Sequence, residues 1–320
     1  MLTALSKIDL MVRVLLAAIL LAFVLPATGD ARELAIMISN AAIFLLFLLN
    51  GLRIDRREII RGAANWRFLI PLAIWIFLGM AAAGWGVSFA VGSMTSSLVA
   101  LGFLYLGVLP STIQSATSYT MLAGGNVALS VIGAALINIA GVFVSAPLFA
   151  LLAGSEQASV GAEAIVRIGT ILILPFIIGQ IFQGLTRKWI AEQRSRIVWV
   201  DRLVIALAVY VAFSGAAEQD VWSDIGLMDW IAISAGIVIM LMIANFGAWG
   251  LSAALNLPRE DRIAFLFAGA QKSAAIGVPL GAILFPPEIA GVILIPLLLY
   301  HLFQLILAAP VSGRLAAQTE

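Results

Sequence analysis

The 320-residue chain contains no cysteine, a single histidine and few charged residues. Without cysteine it has neither a disulfide framework nor a thiolate metal site. One histidine, His301, also argues against a zinc enzyme whose metal is held by several histidines. Charged residues make up 11% and hydrophobic residues 62% of the chain, whereas a soluble domain carries about 25% charged residues. The composition predicts an integral membrane protein with no resident cofactor.

The hydrophobic residues form ten runs, each close to the 17 to 25 residues that a helix needs to cross a bilayer. The runs cover about 9–26, 33–52, 66–91, 96–123, 126–153, 163–186, 199–216, 228–255, 260–285 and 288–311. The first run follows basic residues as a signal peptide would, but no small-residue cleavage site follows it, which favours a retained span. The sequence predicts an all-α polytopic membrane protein with ten transmembrane helices.

The basic residues predict the orientation of these spans. With the N-terminus in the cytoplasm, 15 of the 18 Lys and Arg residues fall on the inside. They are Lys7, Arg13, Arg53, Arg56, Arg57, Arg61, Arg67, Arg187, Lys188, Arg194, Arg196, Arg202, Arg259, Arg262 and Arg314. The acidic loop with Glu218, Asp220, Asp224 and Asp229 then lies outside. The positive-inside rule therefore predicts that both termini are cytoplasmic.

The ten runs divide into two halves of five, residues 1–153 and 154–320. An odd number of spans per half gives the halves opposite orientations, which is the inverted-repeat plan of secondary transporters. Ala146-Pro147 in the first half matches Ala309-Pro310 in the second at a spacing of 163 residues. Coincidence among similar Leu- and Ala-rich helices is the alternative explanation.

Two spans are interrupted at matching places, the fourth near Pro110 and the ninth at Gln271-Lys272-Ser273. Broken backbone is tolerated inside a membrane only where it is buried in protein or lines a cavity. Matching interruptions in the two halves indicate a transporter whose binding site lies between them.

Lys272 is the most informative residue, because a charged side chain deep in a membrane is costly and commonly functional. It lies too far from either end of its span to reach water easily, and no Asp or Glu lies deep in any run. Its ammonium could attract an anion or replace a bound cation. It is either neutral at rest and protonated together with an anion, or solvated in a water-filled cavity.

The other candidate ligands are polar residues in the interrupted spans and in the two spans that follow them. The full predicted substrate- or ion-binding set is Lys272, Gln271, Ser273, Ser111, Thr112, Gln114, Ser115, Thr117, Asn126, Ser130, Asn138 and His301. Each hydroxyl could instead bond its own helix or allow close helix packing. His301 could carry a proton or join two helices by a hydrogen bond.

Three motifs resemble the bile acid:sodium symporter family, solute carrier family 10, over nearly the whole chain. They are Leu109-Pro110-Ser111-Thr112-Ile113-Gln114-Ser115, Gly125-Asn126-Val127-Ala128-Leu129-Ser130, and Gln271-Lys272-Ser273 with Gly277-Val278-Pro279. The most similar branch is the bacterial symporter-like group related to the human orphan seventh member. The resemblance implies a panel of helices 1, 2, 6 and 7 (about 9–52 and 163–216). It also implies a core (about 66–153 and 228–311) in which broken helices 4 and 9 cross.

The residues that bind sodium in this family are largely replaced. Sodium-coupled members have Glu where this chain has Phe267, Asn where it has Lys272, and Thr where it has Ala134. Ser130 matches the remaining family ligand on the fifth helix. A carboxylate is lost and a positive charge is gained, so we expect Lys272 to replace the cation and sodium coupling to be absent.

We therefore expect a transporter of a small organic anion, such as an amphipathic or sterol-like acid, in a bacterial inner membrane. Coupling would be to protons or absent, and the expected partners are the substrate and membrane lipids, with no nucleic acid and no obligate protein partner. A sodium-coupled bile-acid-type symporter is one alternative. A non-transporting membrane regulator or scaffold is another, whereas an enzyme is not expected because no catalytic constellation is present.

Overall fold

Each predicted hydrophobic run coincides with one helix or with a pair of helices. A computed structural model describes residues 9–56, 64–157, 166–219 and 225–318, and all regular secondary structure in these ranges is helical. The helices are α1 Leu10–Val24, α2 Gly29–Arg53, α3 Trp66–Gly92, α4 Ser97–Val108, α5 Ile113–Leu122, α6 Val127–Gln157, α7 Val166–Glu192, α8 Arg194–Glu218, α9 Leu227–Ala254, α10 Arg259–Ala270, α11 Ala274–Leu284 and α12 Pro287–Ala317.

Eight spans in the described ranges are long and apolar enough to cross a membrane, with α10 and α11 counted together. The pair α4 and α5, bent by 62° at its break, gives a ninth. Helix α1 is apolar but only 15 residues long. An all-helical polytopic architecture is confirmed, while the count of ten spans stays a prediction. Several residues used to predict the orientation, namely Lys7, Arg57, Arg61, Asp220 and Asp224, lie outside the described residues.

Local sequence explains several helix ends and irregularities. Asp9 caps α1 by accepting from the backbone N of Met11 at 2.8 Å, as short acidic side chains do at helix N-termini. Helix α3 contains Pro71 and then a π-helical turn at Trp75–Gly79. Such a turn has one extra residue and changes which carbonyls are paired. Nothing in the sequence pattern predicts this turn.

The chain divides into two compact units. One comprises the described residues of Met1–Asp55, Ser159–Ile225 and Val278–Leu294, and the other those of Arg56–Ala158, Gly226–Gly277 and Ile295–Glu320. The predicted assignments of residues to two inverted repeats and to a panel and a core stay predictions.

In the first unit, α2 and α7 approach closely at Gly51 and Gly179. A Cβ atom on Gly51 would lie 3.0 Å from the Cα of Gly179, so a side chain cannot be added there without moving a helix. Arg53 of α2 donates to Asp201 at 2.6 Å. Arg32 pairs with Glu218 at 2.7 Å and with Glu288.

In the second unit, α10 is surrounded by other helices. All of its residues from Ile263 to Ala270 are buried. Phe265 meets Phe68 edge-on with ring centres 5.6 Å apart, and Phe267 stacks on Tyr119 at 5.9 Å. Burying a large apolar side chain contributes about 1.5–3 kcal/mol when the alternative is water. Helix α10 thus leads into the second break from inside this packed core.

Candidate functional site

The two helix breaks lie side by side and hydrogen-bond to each other. Residues 109–112 separate α4 from α5, and residues 271–273 separate α10 from α11. The backbone N of Ser273 donates to the carbonyl of Pro110 at 3.0 Å. The hydroxyl of Ser115 donates to the amide oxygen of Gln271. The interrupted backbones therefore satisfy part of each other's hydrogen-bonding requirement, as non-helical backbone at membrane depth must.

Lys272 projects its side-chain nitrogen into a cage of backbone carbonyl oxygens. Its Nζ donates to Leu109 at 2.7 Å, to Gly107 at 2.9 Å and to Ile76 at 3.4 Å. The side chain is 0% exposed. An ammonium has three donors, so three carbonyls match its full capacity. None of the partners recorded for Lys272 in the described part of the chain is a carboxylate.

Local backbone structure explains why these oxygens are available. Gly107 and Leu109 are at the C-terminal end of α4, where the last carbonyls have no partner within the helix. The same end carries the negative pole of the helix dipole, which favours a cation. Ile76 lies inside the π-helical turn of α3. The cage therefore combines a helix end with an irregular turn, and carries negative potential without a formal charge.

Other side chains pair backbone carbonyls in the helices next to the breaks. Tyr300 donates to Ala270 at 2.7 Å, and Ser145 donates to Val108 at 2.8 Å. Further bonds run from Trp75 Nε1 to the Gly269 carbonyl at 3.2 Å and from the Tyr105 hydroxyl to the Gly277 carbonyl at 2.5 Å. An unpaired buried carbonyl would cost about 1–3 kcal/mol, so these donors hold the break geometry.

Gln304 of α12 pairs with the peptide groups of Lys272. Its Oε1 accepts from Lys272 N at 2.7 Å and its Nε2 donates to Lys272 O at 3.0 Å. The predicted site set did not include Gln304, Tyr300 or Tyr105. The sequence does pair Gln304 with His301, three positions earlier in the same apolar span, as two residues that could flank the crossing point. The tyrosines gave no comparable signal, because tyrosine is common in apolar spans.

Three polar atoms near the breaks have no hydrogen-bond partner among the described residues. They are Nε2 of Gln271, Oγ of Ser111 and Oγ1 of Thr117. Gln271 and Ser111 are almost wholly buried, at 2% and 0% exposure. Buried polar groups normally find partners, so these three atoms are exceptions to the pairing seen elsewhere at the breaks.

The remaining predicted ligands near the first break differ in accessibility. Gln114 is exposed and Thr112 half-buried. Ser115 Oγ lies 3.3 Å from Thr112 Oγ1 in addition to its bond with Gln271. Ser273 directly precedes α11 and caps it, because its hydroxyl accepts from the backbone N of Ile276 at 3.3 Å. All four residues are close in sequence to Lys272 or to Leu109. The side chain of Ser115 also connects the two breaks through its hydrogen bond to Gln271.

Asn126 and Ser130 lie at the start of α6 and bond to protein groups. Asn126 accepts from Leu129 N at 3.1 Å, which caps the helix, and donates to Asp261 at 2.8 Å. Ser130 is buried and accepts from Thr120 at 3.1 Å. Both contacts hold helices together.

Asn138 and His301 are also buried and hydrogen-bonded. Asn138 donates to Ala134 O, one turn earlier in its own helix, at 2.8 Å. His301 Nδ1 lies 2.9 Å from Nε2 of Gln304. His301 is therefore linked through Gln304 to the backbone of Lys272.

Comparison with known proteins supplies the context for this geometry. The model of the SBF-like CPA transporter family matches residues 9–317. An uncharacterized protein of Pseudomonas aeruginosa is 33% identical over 307 residues, covering 96% of this chain and 92% of the relative. An Escherichia coli K12 protein named as a symporter, YfeH, is 33% identical over 318 residues with the same coverage. The mouse protein named sodium/bile acid cotransporter 7 is 25% identical over 297 residues, covering 88% and 84%.

These matches cover almost the whole chain, and the resemblance to bile acid:sodium symporters is confirmed. The family and its named relatives are transporters rather than enzymes. Together with the apolar helices, they identify a multi-pass membrane protein that acts as a secondary transporter. The chain belongs to the SBF-like CPA transporter family.

Proposed function

We propose that this chain transports a small organic anion by alternating access, without sodium coupling, and that Lys272 fills the place of a bound cation. The observation that carries the proposal is the buried Lys272 ammonium, which donates to three backbone carbonyls. In transporters with broken helices, unwound carbonyls and half-helix C-terminal ends are the groups that coordinate Na⁺. Here such groups already hold a tethered positive charge.

The side chains at the family's sodium-binding positions favour the Lys272 side chain over a bound sodium ion. Sodium-coupled members of the family that this chain resembles carry Glu and Thr at two sodium-binding positions. In this chain the same positions hold Phe267 and Ala134, which are both buried and apolar. A sodium ion without a carboxylate would depend on dipoles alone. A covalently attached ammonium avoids the entropy lost when a free ion is bound.

An anionic substrate is supported by charge and by the available donors. Lys272 adds one positive charge at the breaks, although its own protons are directed to the carbonyl cage. Direct contacts would come from Gln271 Nε2 and from the hydroxyls of Ser111 and Thr117, which have no partner among the described residues. Helix α5 begins beside them, and its first residues lack a side-chain cap. A helix N-terminus favours anions. Bile-acid anions are suitable first probes, because a mouse relative is named for them.

We extend the proposal to the membrane topology. Counting α1, the pair α4 and α5, and the pair α10 and α11 as one span each gives ten spans. Two inverted repeats, residues 1–153 and 154–320, would form a panel and a core, and both termini would face the cytoplasm of a bacterium. The distribution of Lys and Arg supports this orientation. Reporter proteins fused at Glu320 and within residues 218–226 should lie on opposite sides of the membrane. If both reporters lie on the same side, the count of ten spans is wrong.

Thermal stability of the purified protein tests the cation replacement. We expect the melting temperature of the native chain to be equal in sodium and potassium at matched ionic strength. A specific rise in sodium would instead support a sodium symporter. If Lys272 takes part in proton coupling, the melting temperature should depend on pH in the native chain and lose that dependence in Lys272→Ala. Lys188→Ala is the control, since Lys188 is exposed and in the other unit.

Alternating access can be tested with a single cysteine, because the native chain contains none. Ser115→Cys should react with an impermeant thiol reagent from one side of the membrane, and a transported anion should change the rate. No reaction from either side under any condition would refute the proposal. Uptake of a labelled bile-acid anion into proteoliposomes, with and without a sodium gradient, then tests substrate class and coupling separately.

A further inference from the structure

An apolar groove lies between α9 and α12 in the second unit, apart from the helix breaks. Its volume is about 640 Å³, and Val238, Phe246, Trp249, Phe303 and Val311 are among its lining residues. The lining on α9 runs from Val238 to Trp249, which is about 17 Å at the helical rise. One leaflet of the hydrocarbon core is about 15 Å thick. The groove therefore has the length of one leaflet.

Three arginines lie at or next to the end of this groove that Trp249, Arg314 and Leu315 form. Arg314 lines that end, is exposed and has no partner recorded in the described part of the chain. The guanidinium of Arg262 lies 4.2 Å from the ring centre of Trp249, and its Nε is buried without a hydrogen-bond partner among the described residues. Arg259 donates to the carbonyl of Leu315, another lining residue, at 2.5 Å.

The acidic residues near this end do not cancel the charge. Glu260 and Asp261 lie in the same turn as Arg259 and Arg262, which leaves three arginines against two carboxylates. Asp261 already accepts from Asn126 at 2.8 Å. The groove thus combines an apolar surface of one leaflet's depth with a cationic end.

We propose that this groove binds an acidic phospholipid, with one acyl chain along α9 and α12 and its phosphate on Arg314 and Arg262. An acyl chain matches the nearly unbroken apolar lining, and a phosphate matches the arginine forks. Basic sites between membrane helices bind anionic headgroups by this chemistry.

Native mass spectrometry of the detergent-solubilised full chain tests the site, with phosphatidylglycerol and phosphatidylcholine of identical acyl chains as probes. We expect one phosphatidylglycerol to bind in preference to phosphatidylcholine. Arg314→Gln should weaken that binding about fivefold, since one arginine near a membrane surface contributes about 1 kcal/mol. Arg194→Gln, an exposed arginine of the other unit, should leave it unchanged.

A second variant tests the acyl part and protects against a folding defect at Arg314. Val311→Phe fills the groove while keeping every arginine, and should also reduce phosphatidylglycerol binding. Melting temperatures identify any variant that fails to fold. Equal binding of the two lipids, or equal weakening by Arg314→Gln and Arg194→Gln, would overturn the proposal. Oleate binding as tightly and with the same sensitivity to both variants would also overturn it, because the ligand would then be a single-chain carboxylate.

Discussion

Gln304 pairs with both peptide groups of Lys272, accepting from its N at 2.7 Å and donating to its O at 3.0 Å. The side-chain amide of Gln304 thus does for one non-helical residue what a neighbouring strand does in a sheet. It fixes the backbone from which the Lys272 side chain reaches the carbonyl cage. The position of the Lys272 side chain therefore depends on this pairing.

Replacing Gln304 should therefore be costly. Gln304→Leu leaves the N–H and C=O of Lys272 unpaired in a buried site, and each unpaired group costs about 1–3 kcal/mol. We expect a large fall in melting temperature in detergent. Gln318→Leu makes the same chemical change at an exposed position and should leave stability nearly unchanged. Equal stability of the two variants would show that the backbone of Lys272 does not need Gln304 to hold it in place.

Shortening Lys272 should convert the carbonyl cage into a site for a free cation. Lys272→Ala and Lys272→Met both leave the carbonyls of Gly107, Leu109 and Ile76 without the ammonium, so both should be destabilised. Only the alanine variant leaves room for an ion. Sodium should stabilise Lys272→Ala by about 1.4 kcal/mol at a concentration ten times the dissociation constant. Melting curves in sodium chloride and choline chloride measure this effect.

The Lys272→Met and native proteins provide the controls, because methionine and lysine fill the space. If sodium stabilises all three proteins equally, the carbonyls do not form a cation site. If it stabilises none of them, the oxygens need the ammonium to hold their arrangement.

The buried Tyr300 should contribute more to stability than the half-buried Tyr210, whose hydrogen bond is exposed. Tyr300→Phe removes the donor to Ala270 at the end of α10, where the carbonyl has no other recorded partner. We expect a loss of about 1–3 kcal/mol. Tyr210→Phe removes a bond of similar length, 2.8 Å to Leu25, but at an exposed site where water can replace it. A comparison of the two melting temperatures measures the difference, and a larger loss for Tyr210→Phe would contradict our reading.

The close packing of α3 against α4 should also set the positions of the carbonyls around Lys272. A Cβ atom on Gly84 of α3 would lie 2.7 Å from the Cα of Gly107, whose carbonyl accepts from Lys272. Gly84→Ala should therefore displace α4, cost about 1–3 kcal/mol as overpacking does, and impair transport. Gly86→Ala, two residues later and with open space around the new methyl, should be tolerated. Transport and melting temperature of both variants test this relation.

Much of the secondary structure could be read from the sequence, because a membrane span requires a long apolar run and the loops do not supply one. The predicted breaks at Pro110 and Lys272 are present. The π-helical turn at Trp75–Gly79 was not predicted, since it has no comparable signal in composition. Several candidate ligands, notably Asn126 and Ser130, are placed in helix contacts, because a polar residue serves equally well as a ligand or as a link between helices.

By itself, the sequence determined the membrane class, the helices, the two interruptions and the buried lysine without a carboxylate nearby in the chain. These features follow from composition and local order. Only the tertiary structure decided what Lys272 touches. Its partners are the backbone carbonyls of Gly107, Leu109 and Ile76, 163 to 196 residues away. Every residue except proline has the same backbone donor and acceptor, so no pattern of side chains could reveal which carbonyls the fold would leave open and bring together.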